Sequence, residues 1–205
     1  MEPSTISPAL AAIPDKAMDR GIWQSVEADR RAYGLTPWLA VFRLLTLSTW
    51  WLVVLYRIAH WLCRRHIPII PGMLHSVGIV LWGSDISPAA AIGAPLRIAH
   101  SVGIVIGGGA VIGDNCEFFQ NVTVGGRDKR LADGTDAMPV IGHNVTLCAG
   151  AVVIGPIRVG DGAIVGANAV VLRDVPEYTA VAGIPAVPVS KVDVPHALRS
   201  LPLGR

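Results

Sequence analysis

His100 is the residue whose type and position most directly suggest chemistry. Apolar residues recur every six positions through Ile106, Ile112, Phe118 and Val124, and one further step backwards along this series reaches His100. An imidazole in an otherwise aliphatic column either costs burial free energy or has a function, because its charge changes near neutral pH. The spacing therefore indicates His100 as the first candidate functional residue.

The six-residue spacing itself predicts the fold. A second series runs from Ile141 to Val171 in steps of six, and a smaller apolar residue follows four positions after each of its members. Such hexads are typical of a parallel β-helix, in which each hexad supplies one short strand and one turn, and stacked coils bury the aliphatic column. We therefore expect a mainly β chain with a solenoid of about four three-sided coils.

The chain divides into three expected regions. Residues 1–80 are expected to form an α-helical N-terminal region, residues 84–190 the solenoid, and residues 191–205 a C-terminal tail. Within the solenoid, seventeen positions separate Val124 from Ile141, where eighteen would keep the repeat in phase. Residues 125–140 are therefore expected to form a charged loop ejected from the solenoid, a kind of excursion that often lines a functional face.

A strongly apolar helix is expected near residues 37–65 and has two interpretations. Thirteen uncharged residues lie between Arg43 and Arg57, and such a segment is shorter than a membrane span requires. The helix either packs against other copies of the chain or lies in a membrane interface as a peripheral contact. Arg43, Arg57 and Arg64 would share one stripe at the lipid headgroups in the second case.

Composition argues against several classes of function. The formal net charge is only +2 and no long basic run is present, so we expect no nucleic-acid partner. The three cysteines are widely spaced, which suits a reducing cytoplasm, and the N-terminus lacks the order of a secretory signal. His100 and His143 are the histidines of the solenoid segment, and their hexad phases differ. We therefore expect His143 to be a turn residue and predict no metal site.

Several motifs in the solenoid segment resemble those of a known enzyme family. They are residues 85–93 (DISPAAAIG), His100, residues 122–126 (VTVGG) and residues 182–186 (AGIPA). In this order they resemble the serine acetyltransferase family of hexapeptide-repeat acyltransferases, over roughly residues 22–190. Residues 57–62 also resemble the end of that family's last N-terminal helix. The resemblance implies a left-handed parallel β-helix, a homotrimer, and transfer of an acetyl group from acetyl-CoA to a hydroxyl.

The resemblance also implies a catalytic pair. His100 matches the family's catalytic histidine, and Asp85 matches the aspartate that orients it. A hydroxyl is a poor nucleophile near neutral pH, so an imidazole must take its proton during attack on the thioester. A carboxylate on the other ring nitrogen fixes the tautomer of that imidazole. Fifteen positions separate the two residues, close to one coil of about eighteen, so adjacent turns can bring them together.

Acetyl-CoA is the substrate for which the resemblance indicates further contacts. Matching the family's motif points to small residues that let backbone amides approach the pantetheine, namely Gly125, Gly126, Ala149 and Ala167. Arg127 and Lys129, with Arg130, are candidates for the CoA phosphates because they lie in the ejected loop. The alternative is that the small residues serve only the turns and that the charged loop is only solvated.

The expected acceptor follows from positions that depart from the family's pattern. Ala99 stands where serine enzymes place an aspartate, and Ala137 and Met138 stand where they carry an Arg–His pair. A further acidic residue of those enzymes has no clear match near Tyr33 and Gly34. A zwitterionic amino acid needs charged partners to offset its desolvation, and a pocket with Ala99 and Met138 offers none. We therefore expect a sugar hydroxyl as acceptor, as in the family's exopolysaccharide branch, which includes the colanic acid acetyltransferases.

Two alternatives remain open beside this sugar O-acetyltransferase. The first is a serine O-acetyltransferase of cysteine biosynthesis with a rebuilt amino-acid site. The second is a non-catalytic solenoid that serves as a scaffold. For the sugar enzyme we expect a cytoplasmic location with peripheral contact at the inner membrane, because its acceptors are often carried on a lipid there.

Overall fold

The computed structural model describes residues 21–42, 48–130 and 136–192, without the side chains of residues 41–42, 127–130 and 136. The described residues form four helices: α1 (Ile22–Ala32), α2 (Pro37–Phe42), α3 (Thr49–Arg64) and α4 (Ile70–Trp82). They also form seventeen short strands: β1 (Asp85–Ile86), β2 (Ala91–Ile92), β3 (Leu96–Ile98), β4 (Val105–Ile106), β5 (Val111–Ile112), β6 (Cys116–Phe118), β7 (Thr123–Gly125), β8 (Arg127–Arg130), β9 (Asp136–Ala137), β10 (Val140–Ile141), β11 (Thr146–Leu147), β12 (Val152–Ile154), β13 (Arg158–Val159), β14 (Ile164–Val165), β15 (Val170–Val171), β16 (Thr179–Ala182) and β17 (Val187–Lys191).

Three sheets form the faces of a parallel solenoid. Sheet A has the order β1-β4-β7-β12-β15, sheet B β2-β5-β10-β13, and sheet C β3-β6-β11-β14-β16-β17. All pairs within them are parallel except β16–β17, which closes sheet C as an antiparallel pair. The strands β8 and β9 form a separate antiparallel pair at the segment that the broken repeat marked as a loop. The predicted mainly β solenoid is confirmed.

The core of the solenoid is made of stacked aliphatic side chains, one column for each sheet. In sheet C, for example, Ile98, Phe118, Leu147 and Val165 occupy equivalent positions on successive coils. All four side chains are buried. Burial of a side chain of this size typically contributes about 1.5–3 kcal/mol, so the repeated column is the main stabilising element of the domain.

The corner that leads from sheet C to sheet A is not the same on every coil. We call it the C–A corner; it comprises residues 99–103, 119–121, 148–150 and 166–168 on the four successive coils. Ile98 and Ile106, which flank the first, are eight positions apart, whereas their partners Phe118 and Val124 are six apart. The first C–A corner therefore contains two extra residues.

His100 lies in this enlarged corner and not in the aliphatic column. The simple six-residue count placed it in the core, but the two extra residues displace it, and its side chain is exposed. Ile98 and Ile106 take the core positions on either side. The expectation that His100 interrupts a buried column is therefore wrong, because the repeat changes length at this point.

A buried ion pair joins α1 and α3 to the solenoid. Arg57 Nε lies 2.9 Å from Asp29 Oδ2, and both side chains are buried. Arg57 also donates to the carbonyl of Gly93 at 2.7 Å, and Asp29 accepts from the backbone N–H of Leu96 at 2.8 Å. Arg57 therefore does not lie at lipid headgroups as one interpretation expected, and Arg43 falls outside the described residues.

The helix α4 was not predicted from the sequence. Two prolines and a glycine at residues 68–72 indicated the end of the helical region, but Pro71 lies in the first turn of α4, where proline is well tolerated. The helix ends before Gly83, whose φ of 63° suits glycine. As a result, residues 57–62 belong to α3 and are not in the last N-terminal helix, and helical structure extends beyond residue 80.

The apolar residues of α3 and α4 are used differently. Most of those in α3 pack inside the molecule, including Trp50, Val53 and Tyr56. In α4, by contrast, Met73 is 61% and Val80 79% exposed. The apolar helix that was expected near residues 37–65 corresponds to α2 and α3, separated by residues 43–47, which lie outside the described part. Among the described residues, no helix combines the length and apolarity that a membrane span needs.

Candidate active site

Backbone hydrogen bonds place the His100 corner beside the start of β1. The N–H of Gly103 donates to the carbonyl of Gly83 at 2.9 Å, and the hydroxyl of Ser84 donates to the carbonyl of Ser101. His100 is the neighbour of Ser101 in the chain, and Asp85 is the neighbour of Ser84. The structure therefore brings the two residues of the predicted catalytic pair onto adjacent segments.

The carboxylate of Asp85 has a partner that the sequence did not suggest. Its Oδ1 lies 2.6 Å from Nε2 of His75, which projects from α4, and the two side chains are 52% and 25% exposed, respectively. Among the described residues, no hydrogen bond joins Asp85 to His100. Sequence reasoning missed His75 because α4 itself was missed, and a lone histidine in an apolar segment gave no other signal.

Tyr33 fixes the strand that leads into the His100 corner. Its hydroxyl accepts from the N–H of Ile98 at 2.8 Å and donates to the carbonyl of Ile98 at 3.1 Å. Burial raises the pKa of Tyr33 to about 12, so the hydroxyl stays neutral. Tyr33 thus positions the end of β3, which lies two residues before His100. Because its hydroxyl is neutral, it supplies no charge for an amino-acid substrate.

Two of the four small residues expected to contact acetyl-CoA lie in the C–A corner. Ala149 and Ala167 occupy it on successive coils, where the N–H of Asn168 donates to the carbonyl of Ala149 at 2.9 Å. Gln120 lies in the same corner one coil after His100, and its Oε1 is buried without a hydrogen-bond partner in the described part of the chain. His100, Gln120, Ala149 and Ala167 therefore line one edge of the solenoid.

The other two small residues lie at the opposite end of the sheet A strands. Gly125 ends β7 and its carbonyl accepts from the N–H of Gly155 at 3.0 Å. A Cβ atom at Gly125 would meet only the methyl group of Thr123, at an ordinary 3.9 Å, and its φ is not positive. Packing within the chain therefore does not require glycine here. The side chains of Arg127 and Lys129, which follow Gly126, lie outside the described residues.

The residues that replace the family's serine-binding groups carry no charge and are largely enclosed. Ala137 and Met138 are buried, and Ala99 is half-buried. Met138 packs over Gly107, where an added Cβ atom would come within 2.6 Å of its terminal methyl group. Met138 is thus a packing residue within the chain, and its expected role as a substrate contact stays a prediction.

His143 has a structural environment at a turn of the solenoid. Its Nδ1 accepts from the N–H of Asp114 at 2.9 Å, and its backbone N–H donates to Asp161 at 2.9 Å. Within the described ranges, no three His, Cys, Asp or Glu side chains come together as a possible metal site.

Comparison with known proteins supports the architecture and the family resemblance. Residues 138–173 match the bacterial transferase hexapeptide family (six repeats). A crystal structure of serine acetyltransferase from Neisseria gonorrhoeae superposes with a TM-score of 0.75 at 35% sequence identity, covering 86% of this chain and 69% of that one. The chain belongs to the hexapeptide-repeat transferases. Within that family its relatives include serine acetyltransferases.

Two further relatives refine this placement among the hexapeptide-repeat transferases. Serine acetyltransferase from Synechococcus elongatus is 41% identical over 133 residues, which are 65% of this chain and 53% of the relative. The structure of serine acetyltransferase in complex with coenzyme A from Brucella abortus gives a TM-score of 0.74 at 31% identity, over 90% of this chain and 71% of that chain. This chain spans about half the length of the curated relatives it matches.

These relatives bear on the expected branch of the family. They are serine acetyltransferases, so the comparisons favour the serine alternative over the exopolysaccharide branch that the sequence led us to expect. This chain nevertheless carries Ala99, Ala137 and Met138 at the positions where the resemblance places the charged serine-binding residues of those enzymes.

Proposed function

We propose that the chain is an acetyl-CoA-dependent O-acetyltransferase in which His100 is the general base. The observation that supports the proposal is that the exposed His100 lies on a segment hydrogen-bonded to the segment of Asp85, in a corner that Ala149 and Ala167 continue on later coils. An exposed imidazole can reach a substrate hydroxyl, and a nearby carboxylate can hold its tautomer.

The chemistry is a single acyl transfer. The imidazole of His100 takes the proton of the acceptor hydroxyl as the oxygen attacks the thioester carbonyl of acetyl-CoA. The new C–O bond forms, the C–S bond breaks, and the departing thiolate recovers the proton from the imidazolium. Asp85 favours the imidazolium while it exists, because an opposite charge stabilises the charged form of the ring.

Acetyl-CoA is proposed to lie along the C–A corner and across sheet A. Ala149 and Ala167 leave the backbone of that corner accessible, and Gly125 is a glycine that packing within the chain does not require. Arg127 and Lys129 remain the proposed contacts of the CoA phosphates. Replacing both by alanine should raise the KM for acetyl-CoA while leaving that for an acetyl thioester without the nucleotide unchanged.

L-serine is the first candidate for the acceptor, because the relatives named above are serine acetyltransferases. A neutral sugar hydroxyl is the second, and it is favoured by the uncharged residues Ala99, Ala137 and Met138. An amino-acid carboxylate and ammonium group need charged partners once desolvated, whereas a sugar needs only neutral hydrogen-bonding groups. Gln120 lies in the same corner, and its buried Oε1 has no hydrogen-bond partner in the described part of the chain.

Thiol release from acetyl-CoA tests the function and separates the two acceptors. Purified protein is assayed with L-serine and, separately, with a panel of neutral mono- and oligosaccharides. We expect turnover with serine at millimolar concentration or below; turnover with sugars alone would instead establish the second candidate. Absence of turnover with both, together with an unchanged biological phenotype in His100→Ala, would support the non-catalytic scaffold and contradict the proposal.

We also propose that the working form is a homotrimer, which the family resemblance implies. The outward side of sheet A supports this proposal because Val105, Thr123, Val152 and Val170 align there in a row that is apolar except for Thr123. Light scattering after size exclusion should give three times the chain mass of 21.6 kDa. A monomer at micromolar concentration would contradict the proposal.

We propose further that α4 is the surface through which the protein makes a peripheral contact with anionic membranes. Exposed apolar residues on α4 include Met73 and Val80, and Arg64 and Arg65 lie at the end of α3, before α4 begins at Ile70. No Asp or Glu occurs from residue 30 to residue 84. An apolar face with basic residues and no acidic ones matches the surface of an anionic bilayer.

Flotation with vesicles tests this surface. We expect binding to vesicles that contain phosphatidylglycerol, weaker binding to phosphatidylcholine alone, and loss of binding in the Met73→Glu/Val80→Glu double variant. Val187→Glu/Val189→Glu, on the exposed strand β17, is the matched control and should still bind. If the α4 variant changes the oligomeric mass and the wild type does not float, α4 is a subunit contact and the lipid proposal is wrong.

A further inference from the structure

His75 lies at the contact between α4 and the candidate active site. Its Nε2 is 2.6 Å from Oδ1 of Asp85, a distance typical of a short charge-assisted hydrogen bond. An ionised carboxylate only accepts hydrogen bonds, so the Nε2 of His75 must carry the proton. The contact thus fixes both the tautomer of His75 and one oxygen of Asp85.

The packing of α4 explains why His75 reaches β1. At Gly78, one turn further along α4, an added Cβ atom would lie 3.5 Å from Leu52 of α3 and 3.7 Å from the backbone carbonyl of Ser84, both ordinary van der Waals distances. The helix therefore lies close against the residue immediately before Asp85. His75 also lines the small cleft between α3, α4 and β1, together with Tyr56 and Ile86.

Asp85 needs such a partner if it is to orient another group. It is the first residue of β1 and half-exposed, so a carboxylate without a partner would sample several rotamers. Among the described residues, Oδ2 has no hydrogen-bond partner, and the neighbouring corner carries His100. Holding Oδ1 from α4 removes that rotational freedom before the substrate binds, which is how supporting residues pre-organise a site.

We propose that His75 is a positioning residue that holds the carboxylate of Asp85 so that its second oxygen can orient His100. This inference rests on the proposed function, because it assigns Asp85 and His100 their roles in proton transfer. The ionisable side chains on the elements next to Asp85 are His75 of α4, which contacts it, and His100, which lies in the adjacent C–A corner, while the neighbouring strand β4 pairs Val105 with Asp85. In this proposal the carboxylate of Asp85 holds one imidazole through Oδ1 and orients the other through Oδ2.

A set of variants at His75 separates hydrogen bonding from packing. His75→Gln places an amide N–H close to the position of Nε2, whereas the shorter Asn reaches only the position of Nδ1. His75→Leu removes the donor and keeps an apolar side chain. His60→Leu is the matched control, because His60 also joins a helix to the solenoid, but through its Nδ1 and the carbonyl of Pro88 at 2.8 Å.

Steady-state kinetics give the first readout. We expect His75→Leu and His75→Asn to lower kcat about tenfold, a typical effect of removing a group that orients a reactive one. KM for acetyl-CoA should stay within about twofold, because His75 touches no substrate, and His75→Gln should retain kcat within about threefold. A general packing role would instead make Gln as damaging as Leu, or make His60→Leu equally damaging.

The tautomer of His100 gives a readout that does not depend on turnover. Nitrogen-15 shifts of the labelled imidazoles, measured where the rings are neutral, should show one tautomer of His100 in the wild type. They should show a mixture in His75→Leu and Asp85→Asn, and again one tautomer in His75→Gln. An unchanged His100 tautomer in His75→Leu, or a rise in kcat, would overturn the proposal.

The two readouts also separate this inference from the proposed function. A wild type that transfers no acetyl group would remove the proposed function, but the nitrogen-15 experiment would still decide whether His75 acts on His100 through Asp85. If turnover is present and both readouts are insensitive to His75, the function stands and the positioning role fails. The Gln and Asn variants differ by one methylene, so the comparison survives even if His75→Leu does not fold.

Discussion

The first and the later C–A corners of the solenoid have the same place in the coil but different construction. On the first coil the flanking core residues Ile98 and Ile106 are eight positions apart, and the corner exposes His100. On the third and fourth coils the corresponding residues are six apart, and the corner carries Ala149 and Ala167. The first corner is therefore two residues longer and carries an exposed imidazole, whereas the later corners carry alanines.

This difference shows how a repeat protein can gain a site without losing its core. The columns of sheets A and C remain filled on the first coil, because Ile98 and Ile106 take the buried positions. The extra residues are accommodated at the surface, where bonds to Gly83 and Ser84 hold them. The later corners keep the length of the repeat. In the proposed function, the base therefore lies on the first coil and the contacts with acetyl-CoA lie on later coils.

The largest effect should come from removing the imidazole of the first corner. His100→Ala is expected to lower kcat about 10²–10⁴-fold, the usual contribution of a general base. The thermal midpoint should change little, because the side chain is exposed. Val102→Ala, at an exposed position of the same corner, is the control. Equal activity of His100→Ala and the wild type in the thiol-release assay would contradict the comparison of the two kinds of corner.

A substitution in the core next to the second C–A corner should instead lower stability and leave activity nearly unchanged. Phe118→Ala removes a fully buried ring from the sheet C column and should lower the free energy of unfolding by about 3–5 kcal/mol. Urea denaturation measures this loss. Folded protein should keep its kcat within a few-fold, because Phe118 does not face the substrate. A large kcat loss with unchanged stability would mean that core and corner are not separate in function.

A smaller effect is expected at the anchor of the first corner. Tyr33→Phe leaves the N–H of Ile98 without its partner and should cost about 1–3 kcal/mol of stability. Urea denaturation at neutral pH measures this cost, and Tyr178→Phe is the control.

Alkaline titration gives an independent check on Tyr33. Burial raises the pKa of Tyr33 to about 12 in the folded state. Its contribution to stability is therefore fully present below the unfolded value of about 10 and is lost as the pH rises through 12. The wild type should lose more stability than Tyr33→Phe over this range; equal losses would show that Tyr33 does not stay neutral when buried.

The repeat could be predicted from the sequence because the solenoid depends on local, periodic patterns. Each hexad contains the residues that form its own strand and turn. The fold class and most core residues, such as Ile112 and Leu147, can therefore be predicted from the spacing alone. The position of His100 could not be derived in this way, because counting by six assumes a constant corner length. Two extra residues in one corner leave no mark in the sequence other than the interruption of the six-residue spacing.

The site was only partly predictable for a related reason. Asp85 and His100 were paired from a motif, whereas the contact between His75 and Asp85 depends on how α4 packs against β1. That packing brings Gly78 of α4 close to Leu52 and Ser84, a long-range contact that no local pattern in the sequence indicates. Proline and glycine at residues 68–72 indicated a break where the chain begins a new helix. Long-range packing of this kind leaves no periodic trace in the sequence.

The smallest expected effect concerns the later corners and tests whether their small residues matter for binding. Ala149→Leu should raise the KM for acetyl-CoA about threefold to tenfold and leave kcat nearly unchanged, because it obstructs a binding surface that is used equally before and during the reaction. Ala180→Leu, at a half-buried alanine of sheet C, is the matched control and should leave KM unchanged. If both variants leave KM unchanged, the alanines of the later corners serve only the turn, and the division between a catalytic corner and binding corners is wrong. If Ala149→Leu lowers kcat as strongly as His100→Ala, the two corners act as one site and the reacting atoms extend further along the solenoid than the position of His100 suggests.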